Sequence, residues 1–331
     1  MHKYGLAFIC VILSVNSLTA QTSFPPTGKL VVAGGHLLHI NVIGKGSPTV
    51  ILENGSGDFS FIWSLVQPEV AKTTRVVSYD RAGYAWSESG PTPRTSRQIT
   101  FELHEALHNA GIKPPYILVG QSFGGFLVRA FARYYPKEVA GMVLVEAVQE
   151  DQRIFMGGDT PKRIRDFAKG RATPAPKTFS TAQPATSNET VTLHTEIDPP
   201  LDKLPDSVQK MQIWAQSQPQ FVRTVQAEMD WSPEDVANLY QNKGRPGYTL
   251  GNIPLIVLTR GAGGYEGRAD SAELENERLA LQKEHAALST NSKHIIDKNS
   301  GHNIHLEDPQ MVIDSIKEVV EAARHKKPLK K

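Results

Sequence analysis

The chain has 331 residues, of which 40% are hydrophobic and 21% are charged, and its formal net charge is +2 at pH 7. This composition is typical of a folded globular protein and excludes a disordered or fibrous chain. A net charge this close to zero also gives no reason to expect nucleic acid as a partner.

Residues 1–20 have the pattern of a secretory signal peptide. His2 and Lys3 precede an apolar run over residues 4–15, and a stretch of small and polar residues ends at Ala20. The run is too short to span a bilayer, since a spanning helix needs about 20 apolar residues. We therefore expect cleavage after Ala20 and export to the periplasm or the medium, with an uncleaved membrane anchor as the alternative. The only cysteine, Cys10, lies in this segment, so the exported chain would have no disulfide.

Strand-like and helical patterns alternate along most of the remaining chain. A hairpin is predicted around Gly34, and later segments have the apolar spacing of buried strands or amphipathic helices. In chain order, the predicted strands are residues 30–32, 37–43, 49–52, 75–79, 116–119, 142–145, 253–258 and 293–296, and the predicted helices are residues 96–110, 126–135, 273–288 and 311–323. This alternation predicts an α/β fold with a mostly parallel central sheet that is flanked by helices.

The alternation stops in the middle of the chain. Residues 172–200 are rich in Pro, Thr, Ser and Ala and predict a long loop, whereas residues 207–215, 221–229 and 233–240 predict short helices. Such a segment between two core strands is best explained as a largely helical cap inserted into the fold. We therefore expect a signal peptide at 1–20, a core at 21–149 and 252–323, a cap at 150–251, and a basic tail at 324–331 that is frayed and solvated.

Four large apolar side chains of the cap have two interpretations. They either line a substrate pocket or form a small core of the cap itself, which is the commoner role of aromatic residues at helical spacing. The four residues are Met211, Trp214, Phe221 and Trp231.

The sequence Gly-Gln-Ser-Phe-Gly-Gly at residues 120–125 indicates a nucleophilic serine. It follows the predicted strand 116–119 and precedes a predicted helix. A strand-to-helix turn this tight strains its central residue, and glycines are needed on both sides because larger side chains would collide with the strand and the helix. The turn would present the Ser122 hydroxyl above the carboxyl edge of the sheet, at the beginning of a helix, where backbone N–H groups favour a developing negative charge.

Together with three further motifs, this turn makes the chain resemble the α/β-hydrolase fold family. The further motifs are Asn-Gly-Ser-Gly at residues 54–57, Asp-Arg-Ala-Gly-Tyr-Ala-Trp-Ser at residues 80–87, and Gly-His at residues 301–302 followed by Glu-Asp-Pro at residues 307–309. They occur in the family's order and spacing, and the resemblance extends from about residue 28 to about residue 323, apart from the cap. The resemblance implies the family's fold and a serine hydrolase that needs no metal or other cofactor.

The resemblance also implies that Ser122 is the nucleophile and that His302 is its general base. A serine hydroxyl is a weak nucleophile at neutral pH and needs a base within hydrogen-bond reach. His302 lies in a short loop after the last predicted strand, where the family keeps its histidine, and Gly301 lets this loop approach the serine closely. His305 is the rival base, but because it begins a helix we expect it in a supporting position or at the surface.

The acid that orients the base has two candidate positions, each after a different strand. The family usually places it after the strand that corresponds to residues 253–258, where the nearest carboxylates here are Glu266 and Asp270. A subset of the family that includes the haloalkane dehalogenases places it one strand earlier, at the position of Glu146. We expect Glu146 to be the acid, with Glu266 as the main alternative. The structural interpretation of Glu146 is a strand-end salt bridge to a loop arginine.

Two backbone N–H groups must stabilise the negatively charged oxygen that forms during acyl transfer. The resemblance implies that one belongs to Phe123, directly after the nucleophile, and that the other belongs to Ser56, in the loop after the third strand. Asp80 and Arg81 lie at the edge of the same site, and we interpret them as anchors of their own loop.

These residues predict an enzyme that hydrolyses a small-molecule ester or a related acyl substrate through an acyl-enzyme. Amide or iminopeptidase cleavage, lactone opening and perhydrolysis are alternatives on the same site, and the cap would decide among them. A binding protein without activity is a further alternative, which the presence of both Ser122 and His302 disfavours. Dehalogenases and epoxide hydrolases of this fold use an Asp nucleophile, so Ser122 disfavours both. The isolated histidines His36, His39 and His194 lack the spacing of metal ligands.

Overall fold

The computed structural model describes residues 24–154, 161–164, 166, 195–241 and 248–330, with only the backbone described at 231–234 and 237–241. The predicted signal peptide, Cys10, His194, the side chain of Trp231 and most of the predicted loop at 172–200 therefore lie outside the described residues. Within the described ranges, no helix is both long enough and apolar enough to cross a membrane.

Among the described residues, eight strands form one mixed sheet, and two short strands pair with each other. In chain order they are β1 (Lys29–Ala33), β2 (His36–Ile43), β3 (Thr49–Glu53), β4 (Val76–Tyr79), β5 (Tyr116–Gln121), β6 (Val139–Val145), the short strands β7 (Arg153–Ile154) and β8 (Lys162–Arg163), β9 (Leu255–Arg260) and β10 (Ser292–Asp297). The order across the sheet is β1-β2-β4-β3-β5-β6-β9-β10. The pairs β1–β2 and β2–β4 are antiparallel, and all other neighbours are parallel. The predicted α/β fold with a mostly parallel sheet is thus confirmed.

Helices cover both faces of this sheet and also form much of the described part of the segment between β6 and β9, which includes β7 and β8 as well. They are α1 (Gln67–Ala71), α2 (Ser96–Asn109), α3 (Phe123–Tyr134), α4 (Asp206–Gln216), α5 (Pro219–Gln241), α6 (Ser271–Ala286), α7 (Ile304–Glu307) and α8 (Pro309–His325). The two helices predicted at 221–229 and 233–240 are one continuous helix, α5. Pro233 suggested a helix start, but a proline inside a helix removes one backbone hydrogen bond and does not necessarily end it.

Alternate residues of the central strands pack on opposite faces of the sheet. In β5, Ile117 and Val119 belong to one apolar cluster and Leu118 belongs to the other. The same alternation occurs in β3, β4, β6 and β9, so these strands are buried on both faces. Side chains of α1 and α8 complete the first cluster, and side chains of α2 and α3 complete the second. Each fully buried Val, Leu or Ile contributes about 1.5–3 kcal/mol to this core.

The carboxyl ends of the parallel strands lie at one edge of the sheet. The loops that follow β3, β4, β5, β6 and β10 carry the predicted site residues, and the turn with Ser122 is central because β5 lies between β3 and β6. The fold therefore gathers the motifs of the sequence at one place, although they are spread over most of the chain.

The C-terminal tail differs from the frayed segment that we predicted. Leu329 is 7% exposed, and its N–H donates to Oδ1 of Asn291 at 2.9 Å. The N–H of Lys330 donates to Glu318 in α8, also at 2.9 Å. An apolar side chain within a basic run suffices to dock the tail, because burying a leucine is favourable whereas the lysines can remain in water.

Candidate active site

Ser122 occupies a strained turn between β5 and α3. Its φ is 53° and its ψ is −120°, a conformation that costs a residue other than glycine about 1–3 kcal/mol and persists only where the surroundings fix it. Here the Ser122 N–H donates to the carbonyl of Val145 at 3.1 Å, and the Ser122 carbonyl accepts from Gly125 and Val148 at 3.0 Å. The Ser122 side chain is half-buried. The turn thus holds the predicted nucleophile at the carboxyl edge of the sheet, where it remains accessible.

The loop after β3 lies directly against the beginning of α3. A Cβ atom at Gly124 would be 2.5 Å from the carbonyl oxygen of Glu53 and 2.6 Å from that of Asn54, so only glycine permits this approach. Ser56, which is exposed, follows in this loop, and Phe123, which is buried, begins α3. The two residues predicted to stabilise an oxyanion therefore belong to segments that the structure packs together.

Gln121, directly before the predicted nucleophile, holds the loop that carries His302. Its Nε2 donates to the carbonyl oxygen of His302 at 3.2 Å. Glu307 fixes the same loop by accepting the N–H of Gly301 at 2.8 Å. Within the described part of the chain, the ring of His302 forms no hydrogen bond with either of its predicted partners. Catalytic hydrogen bonds often form fully only when substrate binds, so a general base can lack them in the free protein.

The environment of His302 keeps its ring neutral. Desolvation by surrounding protein, followed by the charges of Arg260 and Arg278, lowers the pKa of His302 to about 4, and Glu307 opposes the shift. His302 is nevertheless exposed to solvent. A neutral imidazole is the form that can accept the proton of a serine hydroxyl.

We expect this lowered pKa to appear in the pH dependence of kcat/KM. The base must be neutral, and His302 remains neutral as the pH falls from 6.5, the ordinary pKa of histidine, towards about 4. Activity should therefore decline only well below pH 6.5, and then by about tenfold per pH unit below the folded-state pKa. An acid limb centred at pH 6.5 or above, measured with one ester over a range of pH, would contradict this expectation.

Glu146 is buried after β6, where two arginines bind its carboxylate. Nη1 of Arg278 contacts its two oxygens at 2.8 and 3.1 Å, and the backbone N–H of Arg260 donates to it at 2.8 Å. Burial raises the pKa of Glu146, and the charges of Arg278 and Arg260 oppose that rise. The strand-end salt bridge of the structural interpretation is thus present, but its arginines lie in α6 and at the end of β9 and not in a loop. The role of Glu146 as the acid of the site stays a prediction.

The alternative acids lie in contacts of their own. Glu266 is exposed, and its carboxylate accepts the N–H of Gly264 at 2.8 Å. Asp270 pairs with Arg268 at 2.8 Å. Neither carboxylate contacts the ring of His302 in the described structure. The geometry therefore favours neither of them over Glu146.

His305 is buried, which corrects the surface position that we considered for it. Its ring centre lies 4.8 Å from that of Trp63, because the short helix α7 packs against the turn at residues 60–63. Burial lowers the pKa of His305 to about 3. Trp63 in turn donates from Nε1 to Oδ1 of Asn54 at 2.8 Å. His305 thus supports the loop after β3 through Trp63.

Asp80 and Arg81 anchor more than their own loop. Asp80 accepts the backbone N–H of Ser60 at 2.7 Å. Arg81 is fully buried and forms ion pairs with Glu53, at the end of β3, and with Glu228, in α5. Burial raises the pKa of Glu53 to about 7 against the opposing charge of Arg81. Sequence reasoning missed Glu228, since one acidic residue in a largely polar helix has no distinguishing pattern.

Aromatic side chains of the cap pack onto the core beside the ion pairs of Arg81. The ring centre of Phe221 lies 5.3 Å from that of Phe59, and the ring centre of Trp214 lies 5.3 Å from that of Trp86. Met211 packs against the same apolar cluster. These three cap residues therefore pack against the core of the fold and not, as the packing interpretation had it, in a small core of the cap itself.

Comparisons with known proteins agree with this architecture. The model of the alpha/beta hydrolase family matches residues 50–315. A curated relative, the probable transporter efuK of Hormonema carpetanum, is 26% identical over an alignment of 341 positions. The alignment covers 93% of this chain and 45% of that protein. This chain therefore spans less than half the length of that relative.

Two solved structures share the fold at low sequence identity. A meta-cleavage product hydrolase from Pseudomonas fluorescens IP01 has a TM-score of 0.57 and 18% identity, with 88% of this chain and 98% of that chain covered. An esterase from Thermogutta terrifontis has a TM-score of 0.56 and 18% identity, with 89% of this chain and 98% of that chain covered. Both resemblances concern the arrangement of the sheet and its helices.

Proposed function

Because the chain belongs to the alpha/beta hydrolase family, we propose that it is a serine hydrolase that cleaves a carboxylic ester of a small molecule. The observation that carries this proposal is the strained turn of Ser122 at the carboxyl edge of the sheet, directly before α3. Strain of this kind concentrates at functional sites, where it aims one side chain. The loops that carry His302 and Ser56 converge on this turn and supply the other parts of an acyl-transfer site.

In the first half of the reaction, Ser122 Oγ attacks the carbonyl carbon of the ester while His302 accepts the hydroxyl proton. The electron pair of the C=O bond moves to its oxygen, and this oxyanion accepts hydrogen bonds from the backbone N–H groups of Phe123 and Ser56. When the bond to the alcohol oxygen breaks, His302 donates its proton to the leaving alcohol. The acyl group remains on Ser122.

In the second half, His302 accepts a proton from water, whose oxygen attacks the acyl-enzyme. A second oxyanion forms and collapses, the carboxylic acid leaves, and His302 returns the proton to Ser122. We propose that Glu146 orients His302 and stabilises the imidazolium that forms in each half. Arg278 supports this role because its charge favours the ionised form of Glu146.

The nucleophile position separates this proposal from other reactions of the same fold. A serine there counts against epoxide opening or dehalogenation through an aspartyl ester, whereas amides, lactones and peracid formation would use the same serine. The strained serine turn and the loops that converge on it support the ester as the first substrate class to test, whereas the solved structures, at 18% identity, support the fold alone. The alternatives are outcomes of the experiment below.

We also propose that the protein is exported to the periplasm or the medium. The support is the charged start, the apolar run and the small-residue site that ends at Ala20. The chain would then act as residues 21–331, which retain every residue of the proposed site.

A fluorophosphonate probe tests for an activated serine in this protein. We expect the probe to form an adduct on the peptide that contains Ser122, and we expect prior labelling to abolish hydrolysis of short-chain p-nitrophenyl esters. A panel of amides and lactones, assayed in parallel, then ranks the substrate classes by kcat/KM. A protein that takes up no probe and hydrolyses none of these compounds would contradict the proposed function and favour a binding protein.

A further inference from the structure

All five N–H donors of the Arg81 guanidinium have acceptors, and these acceptors lie in two separate parts of the fold. Nε and Nη2 donate to the two carboxylate oxygens of Glu228 at 2.9 and 3.1 Å. Nη1 donates to Glu53 at 3.0 Å and to the carbonyl of Asn54 at 2.8 Å, and Nη2 also donates to the carbonyl of Gly55 at 2.8 Å. A guanidinium with every donor engaged has little freedom to turn.

The two carbonyl contacts determine where the following N–H groups point. In a trans peptide the C=O of one residue and the N–H of the next point in opposite directions within one plane. Because Arg81 binds the carbonyl of Gly55, the N–H of Ser56 is directed away from Arg81. The carbonyl of Asn54 fixes the preceding peptide in the same way. Arg81 therefore sets the orientation of the backbone donor that we propose for the oxyanion.

Glu228 connects this loop to the cap. It lies in α5, 147 residues after Arg81 in the chain, and it also accepts the hydroxyl of Tyr84 at 2.9 Å. Glu228 and Arg81 are each 1% exposed. With little water to screen it, this two-oxygen ion pair is stronger and more directional than a surface pair. The guanidinium thus takes its position from the cap as well as from the core.

We propose that Arg81 is a positioning residue through which helix α5 of the cap orients the N–H of Ser56 towards the oxyanion. This inference rests on the proposed function for the role of Ser56, whereas the contacts themselves do not depend on it. An ion pair that served only to attach the cap would affect stability and substrate binding. A positioning role predicts instead that kcat falls while KM changes little, because the oxyanion forms only during the reaction.

The chain offers a matched control on the same helix. Asp235 lies seven residues after Glu228, is also buried, and accepts the backbone N–H of Ser96 at the beginning of α2. Glu228→Gln and Asp235→Asn therefore make the same carboxylate-to-amide change at two attachments of α5 to the core. Only the first attachment includes Arg81 and the loop after β3.

We expect Glu228→Gln to lower kcat by about tenfold and Arg81→Lys to lower it by about 100-fold, with KM changed by less than about threefold. Deleting one oxyanion donor lowers kcat by about 10²- to 10³-fold, and a misdirected donor should lower it by no more than that. Asp235→Asn should leave kcat within about twofold of the parent. Amide hydrogen exchange over residues 53–59 should be faster in the first two variants and unchanged in the third. Exchange over β6, as a measure of correct folding, should stay the same in all three.

Two results would overturn the inference. If the parent hydrolyses esters but Glu228→Gln matches Asp235→Asn in both kcat and exchange, the coupling is absent while the proposed function stands. If the parent shows no serine reactivity, the proposed function fails, and faster exchange over residues 53–59 in Glu228→Gln alone would still support the coupling of the cap to the loop. Equal exchange in Glu228→Gln and Asp235→Asn would then refute it.

Discussion

Replacing Ser122 with alanine is expected to lower kcat for ester hydrolysis by about 10⁴- to 10⁶-fold. The change removes the only atom that can form the acyl-enzyme, so that the remaining rate comes from oxyanion stabilisation and substrate binding. Alanine has the same Cβ atom as serine and must adopt the same strained φ of 53°, so the stability of the protein should change little. Pre-steady-state assays with a p-nitrophenyl ester would measure the loss and would also show whether the acyl-enzyme burst disappears.

A matched serine separates this effect from nonspecific damage. Ser271, partly exposed at the beginning of α6, can be changed to alanine in the same way and should retain full activity. A Ser122→Ala protein that kept more than about 1% of kcat would rule out Ser122 as the nucleophile, because removing the nucleophile of a triad lowers kcat by up to about 10⁶-fold.

Replacing Glu146 with glutamine is expected to lower kcat by about 10²- to 10⁴-fold and also to destabilise the protein. The loss of kcat would follow from a misoriented His302 and an imidazolium without a countercharge. The loss of stability would follow because Arg278 and Arg260 would lose their buried carboxylate partner and keep only Glu275, which pairs with both. The cost should therefore stay below the about 3–5 kcal/mol of a buried charge that loses its only partner. Steady-state kinetics below the melting temperature, together with urea unfolding, would measure the two effects separately.

Glu266→Gln is the control for this assignment. Glu266 is exposed and contacts only its own loop among the described residues, so the change should alter kcat and stability little. If Glu266→Gln loses far more turnover than Glu146→Gln, Glu266 is the acid. If Glu146→Gln is unstable but keeps its kcat, Glu146 serves only as the partner of the two arginines.

Contiguous patterns in the sequence were sufficient to predict the fold and the strained serine turn. The apolar residues 116–119 and the flanking glycines predicted a strand, a turn and a helix, and the structure has β5 and α3 at these positions. The helix begins at Phe123 and not, as predicted, at Phe126. The apolar spacing did not predict its first turn, because Gly124 and Gly125 have low helix propensity and no apolar side chains. Tertiary contacts with the loop after β3 compensate for that propensity.

Contacts between distant segments could not be predicted in this way. Glu146 and Arg278 are 132 residues apart, and Arg81 and Glu228 are 147 residues apart. Sequence reasoning placed Glu146 and Arg81 at the site, but because charged residues are usually exposed it favoured a surface position for their partners Arg278 and Glu228. The buried position of His305 could not be predicted either, since its burial depends on Trp63, which lies in a turn far away in the chain.

β6 and β9 are neighbours in the sheet, although residues 146–254 lie between them in the chain. Because the entropic cost of a connection grows only with the logarithm of its length, such an insertion can be lengthened or exchanged with little effect on the sheet. Specificity can thus change by replacing one module while the catalytic frame is retained. Position 228 restricts this freedom, since a grafted module without a carboxylate there would deprive the buried charge of Arg81 of one of its two anionic partners. Whether a new module is compatible with this core therefore depends first on a carboxylate at position 228 and only then on the substrate that the module can bind.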